Sequence, residues 1–136
     1  MEEFQFRNAR SGFDFNEFNT LLDRFFSEHH IPFSKMLSIE LIVEELVTNI
    51  LKYGGSTEPD ISIGLAYCCK DGHLELEIRD DTHPFDPTTA QPADTESSVE
   101  DRQIGGLGIY LVREKSTSMV YEYRDHFNII RLTVQE

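Results

Sequence analysis

Hydrophobic positions along the chain fall into two alternating registers, and the switch between them marks the elements. EEFQFR alternates Phe4 and Phe6 with polar residues, which predicts an opening strand. In DFNEFNTLLDRFFSEHH the spacing changes: Phe15, Phe18, Leu21, Leu22, Phe25 and Phe26 recur at helical intervals, and Asp14 with Glu17 forms a capping-box pattern. IPF is a connector ending in Ser34, the expected N-cap of a long helix through KMLSIELIVEELVTNILKYGG that Gly54 and Gly55 stop. DISIGLAY and HLELEIR alternate again around Asp71-Gly72, a hairpin signal. Leu74, Leu76 and Ile78 are expected inside, with Glu75, Glu77 and Arg79 outside. Periodicity then vanishes from Thr82 to Ile104, a stretch rich in Pro, Ser, Thr and acids. Its length points to a mobile lid or binding segment, with an idle insertion as the plain alternative. GGLGIYLVREKS reads as a glycine-led helix, and TSMVYEYR with FNIIRLTV as a second hairpin around Asp125-His126.

The resulting order, β-α-α-β-β-loop-α-β-β, predicts an α+β fold. We expect a two-layer α/β sandwich with a mixed, mostly antiparallel sheet and helices on one face. With 136 residues, and no repeat or linker, the expectation is a single domain over 1–136 with a lid at about 82–104.

Composition narrows the function. An apolar fraction of 39% supports a packed core, and no apolar run approaches bilayer length. The amino terminus is acidic and unlike a secretory signal, and the adjacent Cys68 and Cys69 lack metal or redox spacing, so a cytoplasmic location is expected. The formal charge of −13 repels phosphate backbones and anionic lipid, which argues against nucleic-acid and membrane partners. An anionic ligand on such a protein needs local devices: backbone amides, a helix terminus or a cation.

Three places offer those devices. On a helical wheel at about 100° per residue, Asn49 lies about 40° and Lys52 about −20° from Glu45. Ile39, Ile42, Val43, Leu46, Val47, Ile50, Leu51 and Tyr53 fill the opposite and adjoining arc. The oxygen of Asn49 suits a hard cation, and Glu45 suits proton transfer; an ordinary solvated helix face would look the same. Asp80 ends a strand, where a carboxylate can accept from the exocyclic amine of a base or merely cap a turn. Gly105, Gly106, Leu107 and Gly108 open a helix, which permits close backbone approach to an anion, but no Walker lysine follows. His29 and His30 read as solvated residues at a helix end.

Order adds more than any single motif. EELVTNILKYGG, RDDTHPFDP and GGLGIYLV resemble the N box and the two glycine boxes of the GHKL (Bergerat-fold) ATP-binding superfamily. Within it the chain is most similar to the anti-sigma-factor serine/threonine kinases of the RsbW and SpoIIAB type. The resemblance implies roles for individual residues. Glu45 falls on the catalytic acid–base position, Asn49 on the magnesium ligand and Asp80 on the adenine-reading aspartate. Gly105, Gly106 and Gly108 fall on the phosphate-binding glycines, with Lys52 and Arg102 near phosphate. It also implies ATP and Mg2+ as cofactors and a STAS-type anti-anti-sigma protein as the phosphorylated partner. A sigma factor and a homodimer are further expectations of the same resemblance. One position departs from the pattern: Thr82 stands where the first glycine box usually has glycine, and its side chain is expected either to crowd the base or to change the turn. Two alternatives stand beside the kinase: a non-catalytic, nucleotide-dependent protein-binding switch, and a structural domain with a degenerate pocket.

Overall fold

The computed structural model describes residues 2–8, 10, 12–87 and 112–134. Its elements run β1 (Glu2–Arg7), α1 (Phe15–Glu28), α2 (Phe33–Tyr53), β2 (Ile61–Cys68), β3 (His73–Asp80), β4 (Ser116–Arg124) and β5 (Phe127–Val134). Residues 112–115 form a helical turn that leads straight into β4. The five strands make one sheet in the order β1-β2-β3-β5-β4. Every pairing among the described residues is antiparallel, in keeping with the α+β, mostly antiparallel sheet expected: hairpins join β2 to β3 and β4 to β5, and β3 pairs with β5. Among the described residues no helix is long and apolar enough to cross a membrane.

Alternation decides which sheet face is covered. Ile61, Ile63 and Leu65 of β2, Leu74, Leu76 and Ile78 of β3, and Ile130, Leu132 and Val134 of β5 are buried beneath Ile39, Ile42, Val43, Leu46 and Val47 of α2. Glu75 is exposed, and Glu77 and Arg79 are half-buried on the outer face. A phenylalanine cluster locks β1 to α1, with the Phe18 ring 5.9 Å from Phe4 and 5.4 Å from Phe6 in edge-to-face geometry.

The ends of the elements have local causes. Asp14 accepts from the Glu17 amide at 3.0 Å and caps α1. At the other end the Ile31 amide reaches the Phe26 carbonyl, and His30 sits at φ 54°, a Schellman closure in which histidine takes the usual glycine place. His29 is not simply solvated, because its ring lies 4.8 Å from Phe25. The N-cap of α2 is Pro32 rather than Ser34: no side-chain cap bond forms, and the Pro32 carbonyl accepts from Lys35 and Met36. Proline's fixed φ already suits a helix start, which moves the boundary back. Gly54 ends α2 and Gly55 follows at φ 80°, where a side chain would be strained. The second hairpin turns on Asp125 and His126, both at positive φ, as a two-residue primed turn requires.

Candidate functional site

The C-terminal end of α2, the end of β3 and the start of β5 meet at one edge of the core. Antiparallel pairing brings this about, since Asp80 sits directly opposite Asn128 in the ladder. Asn49, Asp80, Thr82, Phe85 and Asn128, with Leu46, Ile50, Tyr53, Gly54 and Ile130, wall a partly open cavity of about 20 Å³.

Asp80 is 2% exposed. Its Oδ1 accepts from the Thr82 amide at 3.0 Å, from Asn128 Nδ2 at 3.0 Å and from the Thr82 hydroxyl in a very short contact. Every hydrogen bond that Asp80 receives from described residues therefore ends on one oxygen. Burial pushes its carboxyl above the usual carboxylate range, against the opposing pull of the bonds from Thr82 and Asn128.

Asn128 is the residue that sequence reasoning missed. Its Nδ2 faces Asp80, the Thr82 carbonyl at 3.2 Å and the His83 carbonyl at 3.0 Å. Its Oδ1 accepts from the Phe85 amide at 3.1 Å and the Tyr121 hydroxyl at 2.6 Å. One buried carboxamide thus fixes the whole 80–85 turn against β5. A signal was present: Asn128 is in phase with Ile130, Leu132 and Val134, and a polar residue at an inward position needs a partner.

On the helix side, Asn49 Nδ2 is buried without a hydrogen-bond partner, the one such side-chain atom among the described residues. The two ends of a carboxamide are assigned from their neighbours, so either the amide or, after a flip, the oxygen can meet a ligand here. An orphaned buried amide on the wall of a cavity fits a site for a phosphate oxygen or a hard cation. Glu45 is half-buried one turn earlier and Lys52 is exposed; neither lines the cavity. Leu51 and Tyr53, expected on the apolar face, are each 38% exposed, although Tyr53 also lines the cavity. Phe85 lines the cavity yet remains 40% exposed. Arg102, Gly105, Gly106, Leu107 and Gly108, and most of the lid expected at 82–104, lie outside the described residues.

Thr82 is 6% exposed and inserts between Asp80 and Gly54. It is not among the residues at positive φ, so the turn does not require glycine at this position. A larger trough, about 760 Å³, lies on the opposite face of the sheet. Its charged groups largely answer one another, Arg131 with Glu77 and Glu122, and Arg7 with Asp60. It lacks the convergence of buried polar groups found beside Asp80.

Comparisons with known proteins agree with this architecture. A model of the histidine kinase-like ATPase domain matches residues 15–134. The chain is 28% identical over 96 residues to the serine/threonine-protein kinase BtrW of Bordetella bronchiseptica, covering 71% of this chain and 68% of that protein. It is 26% identical over 96 residues to the serine-protein kinase RsbW of Listeria monocytogenes, covering 68% of this chain and 61% of that protein. Two solved structures share the fold. A chain containing the RsbU and RsbW domains of Rv1364c from Mycobacterium tuberculosis superposes with TM-score 0.66 at 13% identity, over 99% of this chain and 32% of that one. A chain of the SiaB–SiaC complex from Pseudomonas aeruginosa gives TM-score 0.66 at 15% identity, over 96% and 88% respectively. With the match spanning residues 15–134, the chain belongs to the histidine kinase-like ATPase domain family.

Proposed function

We propose that this chain is an ATP-dependent protein-serine/threonine kinase and anti-sigma-factor-like regulator whose substrate is a STAS-type anti-anti-sigma protein. The observation that carries the nucleotide part is the meeting of Asp80 and Asn49 on one cavity. The first is a buried carboxylate bonded by described residues on a single oxygen, and the second a half-buried asparagine whose amide nitrogen is buried without a partner. The kinase relatives support the phosphoryl-transfer part.

In this reading Asp80 Oδ2 accepts from the exocyclic amine of adenine, a donor that guanine lacks at that edge. The carboxamide of Asn49 turns its oxygen to the cation, and the backbone amides of Gly105, Gly106 and Gly108 hold phosphate oxygens, with Lys52 and Arg102 nearby. Magnesium, when bound, neutralises charge across the phosphates. The substrate hydroxyl oxygen forms the new bond to the γ-phosphorus while the bond to the β-bridging oxygen breaks and ADP leaves. Glu45, half-buried one turn before Asn49 on α2, receives the hydroxyl proton. We place this activity in the cytoplasm, with a sigma factor and a second copy of the chain as further partners.

The test is transfer of labelled γ-phosphate to a serine-bearing STAS-type protein. Glu45→Ala should keep nucleotide affinity within several-fold and lose transfer by about 10²–10⁴-fold, the usual contribution of a general base. Undiminished transfer removes Glu45 from this role. The threonine at position 82 and the acidic composition of the 82–104 segment favour a second reading, a switch that binds nucleotide without transferring phosphate. Nucleotide-dependent partner binding with no labelled phosphoprotein would select it.

A further inference from the structure

Residue 82 is held from both sides. Toward β3 and β5, its amide and hydroxyl both donate to Asp80 Oδ1, and Asn128 Nδ2 reaches its carbonyl at 3.2 Å and its hydroxyl at 3.4 Å. Toward α2, its methyl lies against Gly54: a Cβ on that glycine would come within 2.6 Å of Thr82 Cγ2 and 2.8 Å of Thr82 Cβ. Its neighbour fastens the same helix end. The His83 ring Nε2 lies 2.8 Å from the Tyr53 carbonyl, and the His83 amide lies 3.4 Å from the Gly54 carbonyl. Gly54 thus admits the threonine, and the threonine fills the seam between the end of α2 and the start of β5.

The volume follows from that packing. The cavity of about 20 Å³ has room for one water molecule. Pockets that enclose small organic ligands run to roughly 300 Å³ and more. A base therefore needs room that the walls drawn from α2, the 82–85 turn and β5 do not leave, and Thr82 fills the seam between that turn and the end of α2. We propose that Thr82 sets the nucleotide affinity of this site: its side chain occupies volume a base needs and favours the closed seam, so that only the open fraction of molecules binds. This inference rests on the nucleotide reading above. Apparent affinity then falls in proportion to the open fraction.

Removing the side chain orphans nothing. Asp80 Oδ1 would keep the backbone amide of residue 82 and Asn128, and Asn128 Nδ2 would keep Asp80 and the carbonyls of residues 82 and 83. The effect of a substitution is thus one of volume. Calorimetric titration of the full chain with magnesium-ATP and magnesium-ITP, on wild type and on Thr82→Gly, Thr82→Ser and Thr82→Val, reads it directly. Thr82→Gly should lower the ATP Kd by about tenfold and Thr82→Ser by roughly threefold, while Thr82→Val, which keeps the bulk, stays within about twofold. The preference for ATP over ITP should persist throughout, because Asp80 is retained.

A wild type that binds ATP, with glycine and serine variants no tighter, overturns this inference and leaves the nucleotide reading standing. Loss of the ATP preference in Thr82→Gly also overturns it, since Thr82 would then act by orienting Asp80. Binding of ATP by Thr82→Gly alone supports it, and absence of binding in all four proteins overturns both. Should Thr82→Gly melt below the assay temperature, Thr82→Ser, which keeps the hydroxyl bonds, decides the matter.

Discussion

Replacing Asn128 by alanine should be among the costliest single substitutions in this fold, although the residue begins a strand and carries no charge. Its two amide hydrogens serve Asp80 and the Thr82 and His83 carbonyls, and its oxygen takes the Phe85 amide and the Tyr121 hydroxyl. Two donated and two accepted bonds at about 1 kcal/mol each give about 4 kcal/mol. Leaving several of those groups buried without partners adds to that figure, while water entering the vacated space offsets part of it, so about 3–4 kcal/mol is expected. For a domain of this length that corresponds to a drop of ~10 °C or more in Tm. Urea unfolding followed by far-ultraviolet circular dichroism measures it, with Asn128→Asp as a companion that keeps shape but sets a second carboxylate against Asp80. A loss below about 1 kcal/mol for the alanine variant would refute the view that one carboxamide holds the turn, because the partners would then be finding water at no cost.

Two further outcomes follow from the same corner of the molecule. Burial holds the folded Asp80 carboxyl above its usual range, so the folded state binds that proton more tightly than the unfolded chain. The stability this group contributes is present below the unfolded carboxylate value and is lost as pH rises through the folded one. Asp80→Asn lacks this loss, so its stability relative to wild type should climb from about pH 4 toward 7 in urea titrations; a flat difference would contradict the assignment. Gly54→Ala should destabilise by about 1–3 kcal/mol through overpacking, since the added Cβ would lie 2.5 Å from the Ile50 carbonyl oxygen as well as against Thr82. A thermal melt unchanged from wild type would show that the helix end yields freely.

Much of the architecture was legible because it is written in local periods. The alternation in HLELEIR put Leu74, Leu76 and Ile78 inside, and Asp71-Gly72 placed the first hairpin, as the pairing of β2 with β3 bears out. Asp14 and Gly54 mark the ends of α1 and α2. What escaped depends on contacts between segments far apart in the chain. Nothing near Asn128 announces that it faces Asp80, because their pairing follows from the register of β3 against β5. A helical wheel gives the direction of a side chain but not how much of it is covered, so it did not foresee that Leu51 and Tyr53 are each 38% exposed. The same wheel grouped Glu45 and Lys52 with Asn49, yet only Asn49 reaches the cavity. Thr82 read as a departure that would either crowd the base or change the turn; Gly54, distant in sequence, is what makes room for it.

The claim beneath all of this is that the cavity beside Asp80 is a seat for adenine. Calorimetric titration with magnesium-ATP, ADP and GTP, on wild type and Asp80→Ala, tests it most directly. The account predicts saturable binding of both adenine nucleotides, little or none of GTP, and loss of adenine binding by at least about tenfold in the variant. Adenine binding that survives Asp80→Ala unchanged, or wild-type protein that takes ATP and GTP alike, would contradict it.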